Sequence, residues 1–324
     1  MSSQPRIRIA ATVLALALTS LSTAPTAFAA SPPELTNGFY VDPDSTVLQW
    51  ADANPQDGRS SAIRTSIGQQ PMARWFGSWS GTIGTATGAY VGAADYHNKL
   101  PIMVAYNIAG RDACGGHSGG GAGSVDAYNT WIASFAGGIA DRPAIVILEP
   151  DALGDFDCMS SSQVGDRQNM LINAIAQFNA QAPNTWTYLD AGNPGWVDAA
   201  TMAQRLNAAG LQNAHGFSLN ISNFHNNAEN TAYGNAVNAE LNSRFGYTKP
   251  YVIDSSRNAN GNSSTPWCNP GGQKIGSSSQ YGEGAEMLLW IKTPGESDGD
   301  CGVGLGSTAG AFLPQVAYDM IYGY

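Results

Sequence analysis

The sequence predicts an α/β fold: a distorted TIM-like (β/α) barrel with a parallel strand core and the active site at the C-terminal ends of the strands. Three observations predict it. Six apolar runs of strand length recur, and each ends in a polar group. Segments with helical spacing alternate with these runs, which implies a parallel sheet. There are enough units to close a barrel, and catalytic groups in such barrels sit where the polar tips fall.

The elements run in order. Pro101 to Ala105 leads into Tyr106 and Asn107. Residues 124–140 place Val125, Tyr128, Trp131, Ile132 and Phe135 at helical spacing. Ile145-Val146-Ile147-Leu148 is β-branched and apolar, ends in Glu149-Pro150-Asp151, and is stopped by Pro150. Residues 166–181 set Leu171, Ala174, Ile175 and Phe178 on one helical face. Thr185 to Leu189 ends in Asp190, and 199–208 is a weaker helix. Gly216 to Leu219 ends in Asn220, and 228–241 is again helical. Pro250 to Ile253 ends in Asp254, and Met287 to Ile291 ends in Lys292. Six polar tips on one rim suggest a single ring of functional groups. A carboxyl group at the edge of an apolar wall has a raised pKa, which suits a general acid.

Residues 1–29 are expected to be a secretory leader. Arg6 and Arg8 form a basic start, an apolar stretch too short for a membrane span follows, and Ala27-Phe28-Ala29 fits a cleavage site. Residues 30–324 are then one catalytic domain of about 295 residues, with no linker and no second composition regime. Losing the two arginines takes the net charge from −10 to −12, which argues against nucleic acid and anionic membrane as partners. Charged residues make up 12% of the chain, against 38 Gly and 8 Trp, a composition suited to a neutral polar polymer. The chain is expected to be extracellular and monomeric.

Cys114, Cys158, Cys268 and Cys301 form an even set in an exported chain, so disulfides are expected. Of three connectivities, neighbour pairing is the simplest, and each bridge would tie two rim loops together. No CxxC is present, and the four histidines show no metal spacing, so neither metal nor cofactor is expected.

The run Ile145-Val146-Ile147-Leu148-Glu149-Pro150-Asp151-Ala152-Leu153-Gly154 resembles the acid-bearing motif of glycoside hydrolase family 6, the cellulases of the endoglucanase and cellobiohydrolase type. Further matches are Val104-Ala105-Tyr106-Asn107 with Gly110-Arg111-Asp112, Asp190-Ala191-Gly192, Asp254-Ser255-Ser256-Arg257-Asn258, Trp267-Cys268 and Trp290 to Gly299, all in family order. The resemblance implies inverting hydrolysis of β-1,4-glucosidic bonds on a distorted β/α barrel, without a metal. It makes Asp151 the general acid, Asp112 the carboxylate that helps hold its proton, and Asp298 the base acting through water. It sets Tyr106 under the sugar at the cleavage point and Arg257 beside Asp298. Lys292 and Glu296 would bond sugar hydroxyls, and Trp75, Trp196 and Trp267 would be stacking platforms. Asn193 and Asn220 are expected substrate contacts, with Asp190 and Asp254 in support.

The chain departs from the family pattern in three places. Ala113 separates Asp112 from Cys114, Ala109 stands where the family often has Pro, and Asn193 stands where relatives often have His.

Read alone, several of these residues have plainer roles: Asp151 as a helix cap, Asp112 as a turn residue, Glu296 to Gly299 as a solvated turn. Trp131 and Trp186 suit core packing. Gly116-His117-Ser118-Gly119-Gly120 also matches the G-x-S-x-G of serine esterases, but that motif needs a strand directly before it and a helix directly after. Short stretches from Cys268 to Lys292 and from Cys114 to Ser124 leave little chain to roof a groove, so endo cleavage is expected, with exo-acting cellobiohydrolase as the alternative.

Overall fold

The computed structural model describes residues 31–116, 118–261 and 266–324 together with the first two. The expected leader lies, beyond those first two residues, outside the described residues, as does His117. Eight strands make one sheet: β1 (Arg74–Phe76), β2 (Ile102–Ala105), β3 (Ala144–Leu148), β4 (Thr185–Asp190), β5 (Gly216–Leu219), β6 (Tyr251–Asp254), β7 (Gln280–Tyr281) and β8 (Met287–Leu289). Their spatial order is β1-β2-β3-β4-β5-β6-β8-β7. Every neighbouring pair is parallel except β7 with β8. The helices are α1 (Thr46–Ala53), α2 (Ser60–Ile63), α3 (Ile83–Tyr96), α4 (Val125–Ile139), α5 (Ser161–Gln181), α6 (Ala199–Ala208), α7 (Asn227–Phe245) and α8 (Pro314–Tyr322).

Strand period two sorts the core into layers. Ile102, Val104, Ile145, Ile147, Val252 and Leu289 belong to the inner cluster. Their neighbours Met103, Ala105, Val146, Leu148 and Ile253 belong to the outer one, with Phe135, Leu171, Phe178, Leu206 and Leu241 from the helices. Fully burying such a side chain stabilises the fold by about 1.5–3 kcal/mol, so both layers hold the strand tips in place.

The barrel is incompletely closed. The Ala73 N–H donates to the Trp290 carbonyl at 2.8 Å, joining the start of β1 to the end of β8. The Trp75 indole N–H donates to the Ile291 carbonyl at 2.8 Å. Among the described residues no ladder joins these two strands. A third cluster of Val47, Ile63, Ile67, Met72, Trp290 and Ala317 covers this seam with the terminal helices. At the other end of the barrel, Phe39 pairs with Leu100 and stacks on Tyr281 of β7 at 5.0 Å.

Helix ends follow local chemistry. The 166–181 helix begins earlier than its apolar face, at Ser161, because Ser160 and Gln163 form a capping box there. Asn226 and Glu229 do the same for α7, which closes on Gly246 at φ 76°.

Candidate active site

At the C-terminal mouth of the strands lies a groove of about 680 Å³. Of the expected residues, Trp75, Tyr106, Asp151, Trp267, Lys292, Glu296 and Asp298 line it.

Asp151 is set there by strained backbone. Glu149 and Asp151 both take positive φ, 51° and 69°, around Pro150, so the chain turns sharply off β3. The Asp151 N–H donates to Asp190 Oδ2 at 2.8 Å, which fixes the turn from the tip of β4. Burial first, then the charges of Asp190, Asp155, Asp112 and Asp298, hold the Asp151 carboxyl well above the usual carboxylate range. Asp190 is itself pushed up to about 6 by burial, against the hydrogen bonds it accepts.

The loop after β2 carries Asp112, also at positive φ. Its carboxylate accepts from the Ser118 N–H and O–H and from the Gly115 N–H, and it stands behind the groove wall rather than in it. The extra Ala113 is accommodated: its N–H donates to Asp155 Oδ2 at 2.8 Å. Arg167, fully buried on α5, donates to the carbonyls of Gly110 and Ala152 and so clamps the Asp112 loop to the Asp151 loop. The Cys114–Cys158 disulfide joins the same two loops.

Tyr106 projects from the tip of β2. Its hydroxyl hydrogen-bonds Ser118 Oγ at 2.8 Å, and its ring lies under the Arg111 guanidinium at 4.4 Å and edge-on to Trp75 at 5.2 Å. Burial, then Asp151, pushes its phenol above the usual range.

Asp298, in the loop after β8, lines the same groove. Arg257 Nη1 reaches both its oxygens, at 3.1 and 3.0 Å, and the Asn269 N–H donates to Oδ2 at 3.1 Å. Lys292 Nζ stands 3.7 Å away. Arg257 is buried, stacks on Phe224 at 4.4 Å and donates to the Ser222 carbonyl. The Cys268–Cys301 bridge brackets Asn269, whose carboxamide also accepts from the Asp298 N–H at 2.8 Å. Glu296 accepts from Thr46 Oγ1 at 2.8 Å, and burial raises its pKa while Lys292 opposes the rise.

Other expected residues stand off the groove. Asp254 accepts from the N–H groups of Ser256, Ile291, Lys292 and Ser222, fastening the ends of β6 and β8 to the loop after β5. Asn220, expected to touch substrate, is fully buried; it donates to the Asp254 and His225 carbonyls and accepts from the His225 N–H. Asn193 caps its own turn through the Gly195 N–H. Trp196 is exposed and covers Gly154 and Gly192, where a Cβ would meet its ring.

The sequence reading missed Glu149, Arg167, Trp79, Asp42 and Arg74. Glu149 carries the strand-tip signal but is buried, with Oε2 accepting from the Asn107 and Ile108 N–H groups at 2.8 and 2.9 Å. Burial pushes it up to about 7, opposed by those bonds. Trp79, Asp42 and Arg74 line the groove. Trp79 lies over the Arg111 guanidinium at 5.4 Å. Ser118 sits in the groove without a nucleophile elbow, since β2 ends at Ala105 and α4 starts only at Val125.

Several carboxylates and indole rings lining one groove, at the mouth of a parallel barrel, are the equipment of a glycosidase. The model for glycosyl hydrolases family 6 matches residues 35–317. The chain belongs to that family and is a glycoside hydrolase. It is 68% identical to endoglucanase 1 of Streptomyces halstedii, over 94% of this chain and 95% of that protein. It is 40% identical to endoglucanase A of Thermobispora bispora, over 97% of this chain and 68% of that protein. The structure of the endoglucanase Cel6 from Mycobacterium tuberculosis, in complex with methyl-cellobiosyl-4-deoxy-4-thio-β-D-cellobioside, superposes with a TM-score of 0.81 at 36% identity, covering 91% of this chain and 99% of that one.

Proposed function

We propose that this chain is a secreted endo-β-1,4-glucanase that inverts the anomeric centre, with Asp151 as the general acid. The observation that carries the proposal is the Asp151 carboxyl in the groove, its pKa raised by burial and by the acidic groups around it. Asp151 gives its proton to the glycosidic oxygen as the bond to the anomeric carbon breaks. A water attacks that carbon from the opposite face and loses its proton towards Asp298, held by Arg257. Tyr106 packs beneath the sugar being cleaved, and Trp75 and Trp267 carry sugars to either side. Asp112, Asp190, Asp254, Asn193 and Asn220 position the loops; the exposed Trp196 meets sugar beyond the groove proper.

Endo action is favoured by how the rim is tied. Each disulfide joins the loops of neighbouring strands, 114 to 158 and 268 to 301, so neither bridge is strung from one side of the groove to the other. The relatives named endoglucanase support the same reading. Export through the leader and action as a monomer complete it. The test is hydrolysis of carboxymethyl cellulose, following viscosity and reducing ends together. Viscosity falling well ahead of reducing ends supports endo cleavage; reducing ends rising with viscosity intact would mean a cellobiohydrolase.

A further inference from the structure

The turn entering α1 lines the groove, and its Asp42 is ion-paired with Arg74, the first residue of β1, in a pair that the mechanism does not use. Arg74 Nε stands 3.0 Å from Asp42 Oδ2. A second nitrogen of the guanidinium, Nη2, donates to the Asp44 carbonyl at 3.4 Å, and its plane lies over Tyr90 at 5.1 Å. Asp42 Oδ1 accepts from the Asp44 N–H at 3.0 Å. Asp42, Asp44 and Arg74 all line the groove. The two side chains differ in exposure: Asp42 is 10% exposed, Arg74 35%. The carboxylate is therefore the anchor, and the guanidinium is the group that faces solvent. Among the described residues, Nη1 of Arg74 has no hydrogen bond.

We infer that Arg74, held by Asp42, forms a further sugar site on the wall next to Trp75 and sets how long a glucan the groove prefers. The inference rests on the glucanase reading above. A guanidinium held by an aromatic face and a buried carboxylate has little further freedom to lose on binding. Its remaining N–H groups suit the neighbouring equatorial hydroxyls of one glucose unit. Because Asp42 neutralises its charge, the site suits a neutral sugar rather than an anionic one.

The experiment is steady-state cleavage of cellotetraose and cellohexaose by wild type, Arg74→Ala and Arg74→Lys, with melting temperatures alongside. The inference predicts that Arg74→Ala raises KM for cellohexaose about tenfold, the loss of one charge-assisted hydrogen bond, with kcat nearly unchanged and cellotetraose much less affected. Arg74→Lys recovers part of the loss. A merely structural pair would instead lower the melting temperature and impair both substrates equally, which overturns the inference, as would an unchanged KM. If wild type cleaves neither oligosaccharide, the glucanase reading fails; calorimetric binding of cellohexaose to wild type and Arg74→Ala then decides the site separately, equal affinities overturning it.

Discussion

The backbone N–H of Asp151 donates to Asp190 Oδ2 at 2.8 Å, so the carboxylate ending β4 holds the peptide that carries the central acid of the groove. The same carboxylate is, after burial, the largest influence raising the Asp151 pKa. Asp190→Asn keeps an oxygen for the N–H but removes the charge. With a like charge gone, the Asp151 proton leaves more easily, so the alkaline limb of the kcat/KM profile moves to lower pH. A profile identical to wild type would show that Asp190 acts through geometry alone.

Glu149 predicts a stability change with pH. Its folded pKa of about 7 lies above its ordinary 4.5, so the folded state binds its proton more tightly. Its contribution is fully present below about pH 4.5 and is lost as pH rises through about 7, an effect on the order of 3 kcal/mol. Glu149→Gln keeps an acceptor for Asn107 and Ile108 and cannot ionise. Melting temperatures measured across that range should fall less steeply in this variant than in wild type.

How much of this was legible in the sequence depends on burial. The six strands it shows are runs buried on both faces, so their apolar signal is continuous and their polar tips stand out. β1 and β7 escaped because they are three and two residues long and only Phe76 among them is buried, which makes no such run. Helix α3 escaped for a different reason: glycines weaken a helical pattern, yet Gly84 and Gly88 stand about one turn apart and let α4 approach, a Cβ at either reaching 3.1–3.2 Å from a carbonyl of α4. At the site, polar tips were readable but their direction was not. Asn220 and Asp254 end strands just as Asp190 does, and only packing shows that they bond backbone and leave the groove to others. Arg167 carries no local signal of its role, because nothing near it in sequence says that two loops fold over it.

The Cys268–Cys301 bridge predicts a loss of activity beyond its loss of stability. Replacing both cysteines by serine should cost about 3–4 kcal/mol for a 33-residue separation. Because the bridge brackets Asn269, which bonds Asp298 from both its backbone and its carboxamide, kcat at 25 °C should also fall while the protein is still folded. Unchanged kcat in folded enzyme, checked by circular dichroism, would contradict this.

Ser118 distinguishes the glucanase from an esterase. Its hydroxyl bridges Tyr106 and Asp112, at 2.8 and 3.2 Å, and Asp112 keeps the Ser118 N–H when the hydroxyl is gone. Ser118→Ala should therefore lower glucan turnover only a fewfold. Complete loss of turnover would point to Ser118 as a nucleophile.

The most direct test is carboxymethyl cellulose hydrolysis by wild type and Asp151→Ala, with viscosity and reducing ends followed together. Wild type should drop the viscosity well before reducing ends accumulate, and the variant should lose about a hundred- to ten-thousandfold in rate while melting near the wild-type temperature. A folded Asp151→Ala protein that still cleaves at the wild-type rate would contradict the account.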